Sequence, residues 1–173
     1  MKRNRGFTLV ELMITLIVMG VVIFIAVPNF ADLIRSNRMT TSSNELVIAM
    51  QIARSEAVKR GENVEVCARA SDGSQSCSGD ADTWPDGWLV WHDADDDSTL
   101  DSGEVIRAWS PLAEDLDINV GSAAIAFDNQ GFSMGSGTVS YVLQPDGCPS
   151  GEERVTVSVG STGRPDSTRS TCP

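Results

Sequence analysis

A long apolar segment close to the first residue constrains this chain more than any other feature. It extends from Phe7 to Val27 and is interrupted by one carboxylate, Glu11, and by two mildly polar threonines. An α-helix needs about 20 apolar residues to cross the hydrocarbon core of a bilayer, and this segment has that length. Because the basic stretch from Lys2 to Arg5 precedes the segment, the pattern predicts that everything after it lies outside the cytoplasm.

The residues at the start of this segment distinguish it from an ordinary secretory signal. In a secretory signal the cleavage site follows the apolar core. Here the plausible site, Gly6–Phe7, precedes the apolar core, so cleavage would remove the basic leader and keep the helix. A lone Glu11 inside a membrane segment is costly unless a cation pairs with it. The alternative, an ordinary signal anchor, gives this carboxylate no purpose.

The heptapeptide Gly6-Phe7-Thr8-Leu9-Val10-Glu11-Leu12 resembles the processing site of type IV pilins and type II secretion pseudopilins. This resemblance implies that a prepilin peptidase cleaves between Gly6 and Phe7 and methylates the new amine of Phe7. It also implies that Glu11 pairs with the N-terminal amine of a neighbouring subunit during assembly.

The sequence divides into four segments. We expect a leader at 1–6, a transmembrane helix at 7–30, an amphipathic continuation of that helix at 31–60, and a β-rich head at 61–173. Apolar and small residues recur at spacings of three and four in the second half of the helix, which predicts a buried stripe. The stripe consists of Met39, Ser43, Leu46, Met50, Ala53 and Ala57.

After Gly61 the period of the sequence changes from helical to alternating, which favours short antiparallel strands. Candidate strands are Val64–Arg69, Gly87–His92, Glu104–Trp109, Ala123–Phe127, Thr138–Leu143 and Val155–Val159. The predicted class is α+β, with a long N-terminal helix packed on an antiparallel sheet or a small β-sandwich. The family resemblance implies the same ladle-like fold.

Three stretches of the head are similar to the GspH/FimT/FimU class of minor pilins and pseudopilins. They are the helix end 51–60, the segment 87–107 with its acidic turn, and Phe127–Gly131 together with Ser161–Arg164. The resemblance implies a minor pilin that joins other minor subunits and the major pilin to initiate or cap a type IV pilus. It also implies a single-pass protein of the bacterial inner membrane with a periplasmic head, which later enters the pilus or pseudopilus. The alternatives are a type II secretion pseudopilin H and a DNA-binding competence pilin.

Four cysteines lie in the exported part of the chain, where an oxidising compartment favours disulfides. Sequence alone leaves three pairings open. Cys67–Cys77 and Cys148–Cys172 are favoured because each of them closes a short loop.

An acidic turn between two candidate strands resembles a calcium-binding loop. Asp93, Asp95, Asp97, Asp101 and Glu104 stand at positions 1, 3, 5, 9 and 12 of that template. Ser98 replaces the glycine of the template, and the flanking segments are strands and not helices. The alternatives are therefore a calcium site that stiffens the loop and a solvated hairpin turn, with no other cofactor expected.

Composition disfavours two other classes of function. The formal charge of −11 opposes binding of a polyanion, so nucleic acid is not an expected partner. The tail differs from the Gly-Arg-x-Arg motif of DNA-uptake members, since Gly163-Arg164-Pro165-Asp166 places an aspartate where the second arginine would stand. His92 is the sole histidine, and no catalytic motif accompanies it, so we expect no enzyme. The four tryptophans are expected to pack in the core and at its rim, and the alternative is a contact with carbohydrate or protein.

Overall fold

The computed structural model describes residues 7–95, 97, 99–101, 103–135 and 137–173, without the side chains of residues 27–29 and 31. The predicted leader, including Gly6, lies outside the described residues. The chain divides into two compact units, Met1–Asn37 and Arg38–Pro173. One long helix, α1 (Leu9–Arg60), contributes to both units.

In the first unit α1 is apolar and its described side chains are largely exposed. The 18 residues Leu9–Ala26 have a mean hydropathy of 2.8, which makes this stretch long and apolar enough to cross a membrane. The helix begins at Leu9, two residues later than the predicted start at Phe7, because Thr8 forms its N-terminal cap.

The second unit combines the end of α1 with eight strands and one short 3₁₀ helix at Ala81–Asp86. The strands are β1 (Val64–Ala68), β2 (Trp88–Trp91), β3 (Val105–Ala108), β4 (Leu116–Asn119), β5 (Ala124–Phe127), β6 (Val139–Pro145), β7 (Glu153–Val159) and β8 (Pro165–Thr171). They form two antiparallel sheets with the orders β3-β2-β1-β5 and β4-β6-β7-β8. The α+β class with antiparallel sheets is confirmed.

One hydrophobic core joins α1 to both sheets. The predicted stripe is confirmed, since Met39, Ser43, Leu46, Met50, Ala53 and Ala57 are each at most 5% exposed. From the sheets, Val66 and Val90 of the first and Tyr141 and Val157 of the second enter the same core. Burial of these side chains is the main favourable term in folding of the unit.

A second, smaller cluster covers the other face of the first sheet. Cys67, Leu89 and Trp91 are its buried members, and Leu100 and Val105 pack against them. This face is therefore buried beneath loops, and it positions the acidic turn next to β1 and β2.

Candidate functional sites

Thr8 caps the start of α1. The carbonyl of Thr8 accepts from the Leu12 amide at 3.1 Å, and the Thr8 Oγ1 accepts from the Glu11 amide at 3.2 Å. Threonine at the N-cap followed by glutamate three residues later is the sequence pattern of a capping box, and a carboxylate in the first turn interacts favourably with the helix dipole. The Thr8-x-x-Glu11 spacing in the sequence is the signal that predicts this cap. Glu11 is exposed, so its carboxylate is accessible to a partner.

The two segments of the third family-like stretch, Phe127–Gly131 and Ser161–Arg164, meet at a close backbone contact. Gly163 lies against Gly131, and a Cβ on Gly163 would stand 2.1 Å from the Gly131 carbonyl oxygen. Gly163 also has a φ of +69°, which L side chains rarely adopt. The Ser133 amide donates to the Ser161 carbonyl at 3.1 Å and holds the same two segments together.

The helix-end stretch joins this contact through an arginine. Arg54 Nε donates to the Gly131 carbonyl oxygen at 2.9 Å, across 77 residues of sequence. Arg54 thus links α1 to the 127–131 turn, on which Gly163 packs. The turn itself is closed by the Asp128 carboxylate, which accepts from the amides of Gln130 and Phe132 at 2.9 and 2.8 Å.

A basic groove lies beside this junction. Its volume is about 590 Å³, and its lining contains three cations, Arg54, Lys59 and Arg164. The family resemblance covers the two stretches that contain these cations, but it does not predict that the cations share one surface.

The acidic turn brings three of the predicted calcium ligands together. One carboxylate oxygen from each of Asp93, Asp95 and Asp97 lies within 4.8 Å of the others. Glu104 uses its carboxylate within the loop, accepting from the amides of Ala94 at 2.7 Å and Asp101 at 2.8 Å. The loop therefore has internal hydrogen bonds that stabilise its conformation, as expected for a structured hairpin turn.

Electrostatics within this turn differ from one carboxyl to the next. The negative charge of Asp97 raises the pKa of Asp95, with smaller contributions from desolvation, Glu104, Asp101 and Asp93. Hydrogen bonds from the Thr99 side chain and amide lower the pKa of Asp97. Like charges that share a site repel, so the turn offers a favourable position for a cation.

The structure contains two disulfides, Cys67–Cys77 and Cys148–Cys172, and these are the two pairs that the sequence favoured. The first joins β1 to the 70–80 loop that covers the first sheet. The second joins the residue after β8 to the loop between β6 and β7.

Next to the first disulfide, a half-buried carboxylate lines a cleft of about 540 Å³. Burial raises the pKa of Glu65, which accepts from Trp91 Nε1 at 3.2 Å. The cleft is also lined by Asp93, Leu100 and Met134. Alternation along β1 placed Glu65 on the face opposite the core, but the loops that cover that face were not predicted.

The tryptophans and the histidine serve packing. Trp84 and Trp88 are fully buried, and Trp91 and Trp109 are 7% and 6% exposed, which confirms the prediction of core packing. Trp88 stacks on Trp109 with ring centroids 6.2 Å apart. His92 is buried and its Nε2 contacts Glu62.

Comparison with known proteins agrees with this architecture. Residues 42–163 match the family described as type II transport protein GspH, and residues 1–27 match the prokaryotic N-terminal methylation motif. The first match covers more than half of the chain, so the chain belongs to the GspH family, within the minor pilin and pseudopilin class. Proteins of this class are structural and not enzymatic, which confirms that expectation.

The similar proteins include both pilins and a pseudopilin. Two fimbrial proteins of Pseudomonas aeruginosa are 33% identical over 72 residues, which is 42% of this chain and 46% of theirs. The chain thus aligns with about half the length of these relatives. The type IV minor pilin FimU of Pseudomonas aeruginosa superposes with a TM-score of 0.55 at 16% identity, covering 80% of this chain and 98% of FimU. The minor pseudopilin EpsH of Vibrio cholerae gives 0.54 at 14% identity, covering 76% and 96%. At these identities the two structures establish the fold alone.

Proposed function

We propose that this chain is a minor pilin of the FimU/FimT type, which joins other minor subunits to initiate or cap a type IV pilus. The observation that carries this proposal is the presence, in one chain, of the methylation motif at 1–27 and the GspH domain at 42–163. The fimbrial relatives favour a pilus. FimU, which is a type IV minor pilin, has the same fold.

The proposed course of action follows from the first unit. Prepilin peptidase cleaves between Gly6 and Phe7 and methylates Phe7, leaving α1 in the inner membrane and the head in the periplasm. Glu11 then pairs with the amine of a neighbouring Phe7, and this pairing draws the subunit out of the membrane and into the filament. The exposed position of Glu11 one turn into α1 supports this role. A buried carboxylate is far less costly when a cation pairs with it.

A type II secretion pseudopilin H is the second candidate. The family description and the EpsH superposition favour it, and its TM-score is nearly equal to that of FimU. The physical steps would be the same, with the filament serving protein export.

A DNA-binding competence pilin has less support. Arg169, the second arginine of the tail, donates to the Glu153 carboxylate at 2.9 Å and to Thr40 Oγ1 at 3.0 Å. It is therefore engaged with the head itself and is not free to form a pair of phosphate contacts with Arg164.

The decisive experiment compares a strain lacking this chain with its complemented parent. We expect loss of the chain to reduce sheared surface pili, and complementation to restore both pili and the chain in the sheared fraction. Normal pili with a defect in protein export would favour the pseudopilin H role instead. Normal pili and normal export would contradict both candidates.

A further inference from the structure

The basic groove has a charge opposite to that of the chain as a whole. The chain has a formal charge of −11, yet the described residues that line the groove include three cations, Arg54, Lys59 and Arg164, and no carboxylate. Its volume of about 590 Å³ lies within the range of about 300–1,000 Å³ that is typical of ligand clefts. A cluster of cations on an acidic protein is a candidate site for an anion.

Arg54 enters this groove with its side chain already fixed. Its Nε donates to the Gly131 carbonyl at 2.9 Å, and no other hydrogen bond of Arg54 is formed among the described residues. The two terminal nitrogens of the guanidinium therefore remain available. A planar fork held in place by its Nε is suited to bidentate binding of a carboxylate, and little side-chain entropy is lost when it binds.

Arg164 is unusual among the basic residues of the second unit. Within the described residues from Arg38 onward, it is the one basic side chain without a hydrogen bond, ion pair or ring contact. The others have partners, which are carboxylates, carbonyls, a hydroxyl or an aromatic ring. The close packing of Gly163 on Gly131 fixes the backbone immediately before Arg164. The backbone that carries this exposed guanidinium is thus held at a defined place, and the guanidinium itself has no intramolecular partner among the described residues.

We propose that the basic groove docks a carboxylate-rich segment of a neighbouring pilin-class subunit. The inference rests on the proposed function, because it places this contact between heads of one filament. Arg54 and Arg164 bind the carboxylates, and the 53% exposed Val58 supplies an apolar contact between them. Lys59 contributes less, since it is already paired with Glu56 at 3.0 Å.

Charge complementarity favours a protein segment over nucleic acid. This chain shows that a head of the GspH family can carry a dense acidic segment, since it has six carboxylates and no basic residue from 93 to 104. A short acidic loop can enter the groove with only its own charges near the surface. A long polyanion would instead pass over the acidic remainder of the head and be repelled by it.

The test uses the full chain in detergent micelles and a fluorescent peptide of residues 93–104 as the probe. We expect binding at low salt that weakens as salt is added, and no binding of the same peptide with Asn and Gln in place of Asp and Glu. Arg164→Gln should raise the dissociation constant at least about fivefold, as expected for loss of one charge-assisted hydrogen bond. Arg154→Gln removes the same charge outside the groove, where Arg154 contacts Ser170, and should leave binding unchanged.

Three results would overturn the inference: no binding of the acidic peptide, equal binding by Arg164→Gln, or stronger binding of duplex DNA of the same charge. The last result would assign the groove to nucleic acid. Recovery of the unaltered chain in filaments, combined with any of these results, would leave the proposed function intact. Absence of the chain from filaments would contradict the proposed function, whereas peptide binding would still report on the groove.

Discussion

At the scale of single residues, Glu11 combines two roles that a simple alanine substitution cannot separate. Its carboxylate lies in the first turn of α1, where it interacts favourably with the helix dipole, and it is also exposed to a neighbouring subunit. Removing the whole side chain therefore removes the interaction with the dipole as well as any contact with a neighbour. Glutamine retains the length and an acceptor oxygen and removes the charge alone.

We predict that Glu11→Gln leaves expression, membrane insertion and head stability unchanged and reduces incorporation into filaments several-fold. The physical reason is that an amide cannot neutralise the amine of a neighbouring subunit. Immunoblots of sheared filament and membrane fractions measure this ratio. Thr8→Ala is the matched control, since it removes the cap hydroxyl and keeps the carboxylate. Equal incorporation of Glu11→Gln and the unaltered chain would show that assembly does not need the charge of Glu11.

Gly163 is a second position at which the surroundings determine the residue type. We predict that Gly163→Ala destabilises the head by more than about 2 kcal/mol, because the new Cβ meets the Gly131 carbonyl and φ is unfavourable for alanine. Chemical denaturation measures the change. Gly160→Ala is the control, since its Cβ would have no neighbour closer than 3.9 Å, and it should change stability by less than about 0.5 kcal/mol. Equal stability of the two variants would refute the role of the Gly131 contact.

Asp95 makes the stability of the head depend on pH. Its pKa is raised by Asp97 and the other nearby carboxylates, so repulsion destabilises the fold above that pKa and disappears once Asp95 is protonated. We predict that Asp95→Asn raises the melting temperature near pH 7 in the presence of chelator, and that the gain vanishes as the pH falls to about 3. Melting curves across this range measure the difference. A control, Asp117→Asn on β4, removes one charge outside the turn. If the gain in melting temperature is the same at the low and the high end of the pH range, repulsion between Asp95 and its neighbours is not its cause.

At the scale of elements, the sequence predicts six of the eight strands and misses β4 and β8. β8 (Pro165–Thr171) contains no large apolar residue and begins with proline, so neither pattern nor propensity indicates a strand. It is a strand because its backbone pairs with β7 along its whole length. β4 (Leu116–Asn119) does alternate, but over four residues the pattern is too short to distinguish from a loop.

The candidate sites also divide into those that the sequence predicts and those that it does not. The disulfide pairs and the acidic turn depend on residues that are close in sequence, and local spacing identified them. The groove depends on Arg54, Gly131 and Arg164, which are separated by tens of residues. Only tertiary contacts bring them together, so a single sequence gives no signal for them beyond the family resemblance.

We propose that the acidic turn binds calcium weakly, through Asp93, Asp95 and Asp97, whose carboxylates already converge, with Asp101 and Glu104 as further candidate ligands. Added calcium should then raise the melting temperature by mass action, by an amount equivalent to about 2.7 kcal/mol at a hundredfold excess over the dissociation constant. Asp93→Asn should abolish most of this rise. Magnesium at equal concentration controls for ionic strength. An unchanged melting curve in millimolar calcium would leave a solvated hairpin turn.

At the scale of the whole molecule, the two units contribute separate parts of one function. The first unit supplies an apolar helix and a methylation motif, and the second supplies a folded head of the GspH family. The fold class and the family follow from the sequence, because the motif and the change of period are both local signals.

We predict that the mature protein begins with N-methylated phenylalanine at residue 7. Mass spectrometry of the protein purified from membranes or filaments measures the mass of the N-terminal peptide. Gly6→Ala should be cleaved more slowly, and Gly6→Asp should not be cleaved, if the peptidase requires a small residue there. Recovery of an intact leader in assembled filaments would contradict the proposed processing.

The Cys148–Cys172 bond has a mechanical consequence for the second sheet. β8 is an edge strand paired only with β7, and such a strand can peel away one hydrogen bond at a time. The disulfide closes the Thr171 end of the β7–β8 pair. Near the same end, Arg169 contacts Glu153 and Thr40 and so holds β8 in place. The Pro165 end of β8 is tied as well, because the turn at 160–164 joins it directly to β7. A load carried by the groove at Arg164 would therefore pass into a pair of strands that is covalently linked at both ends.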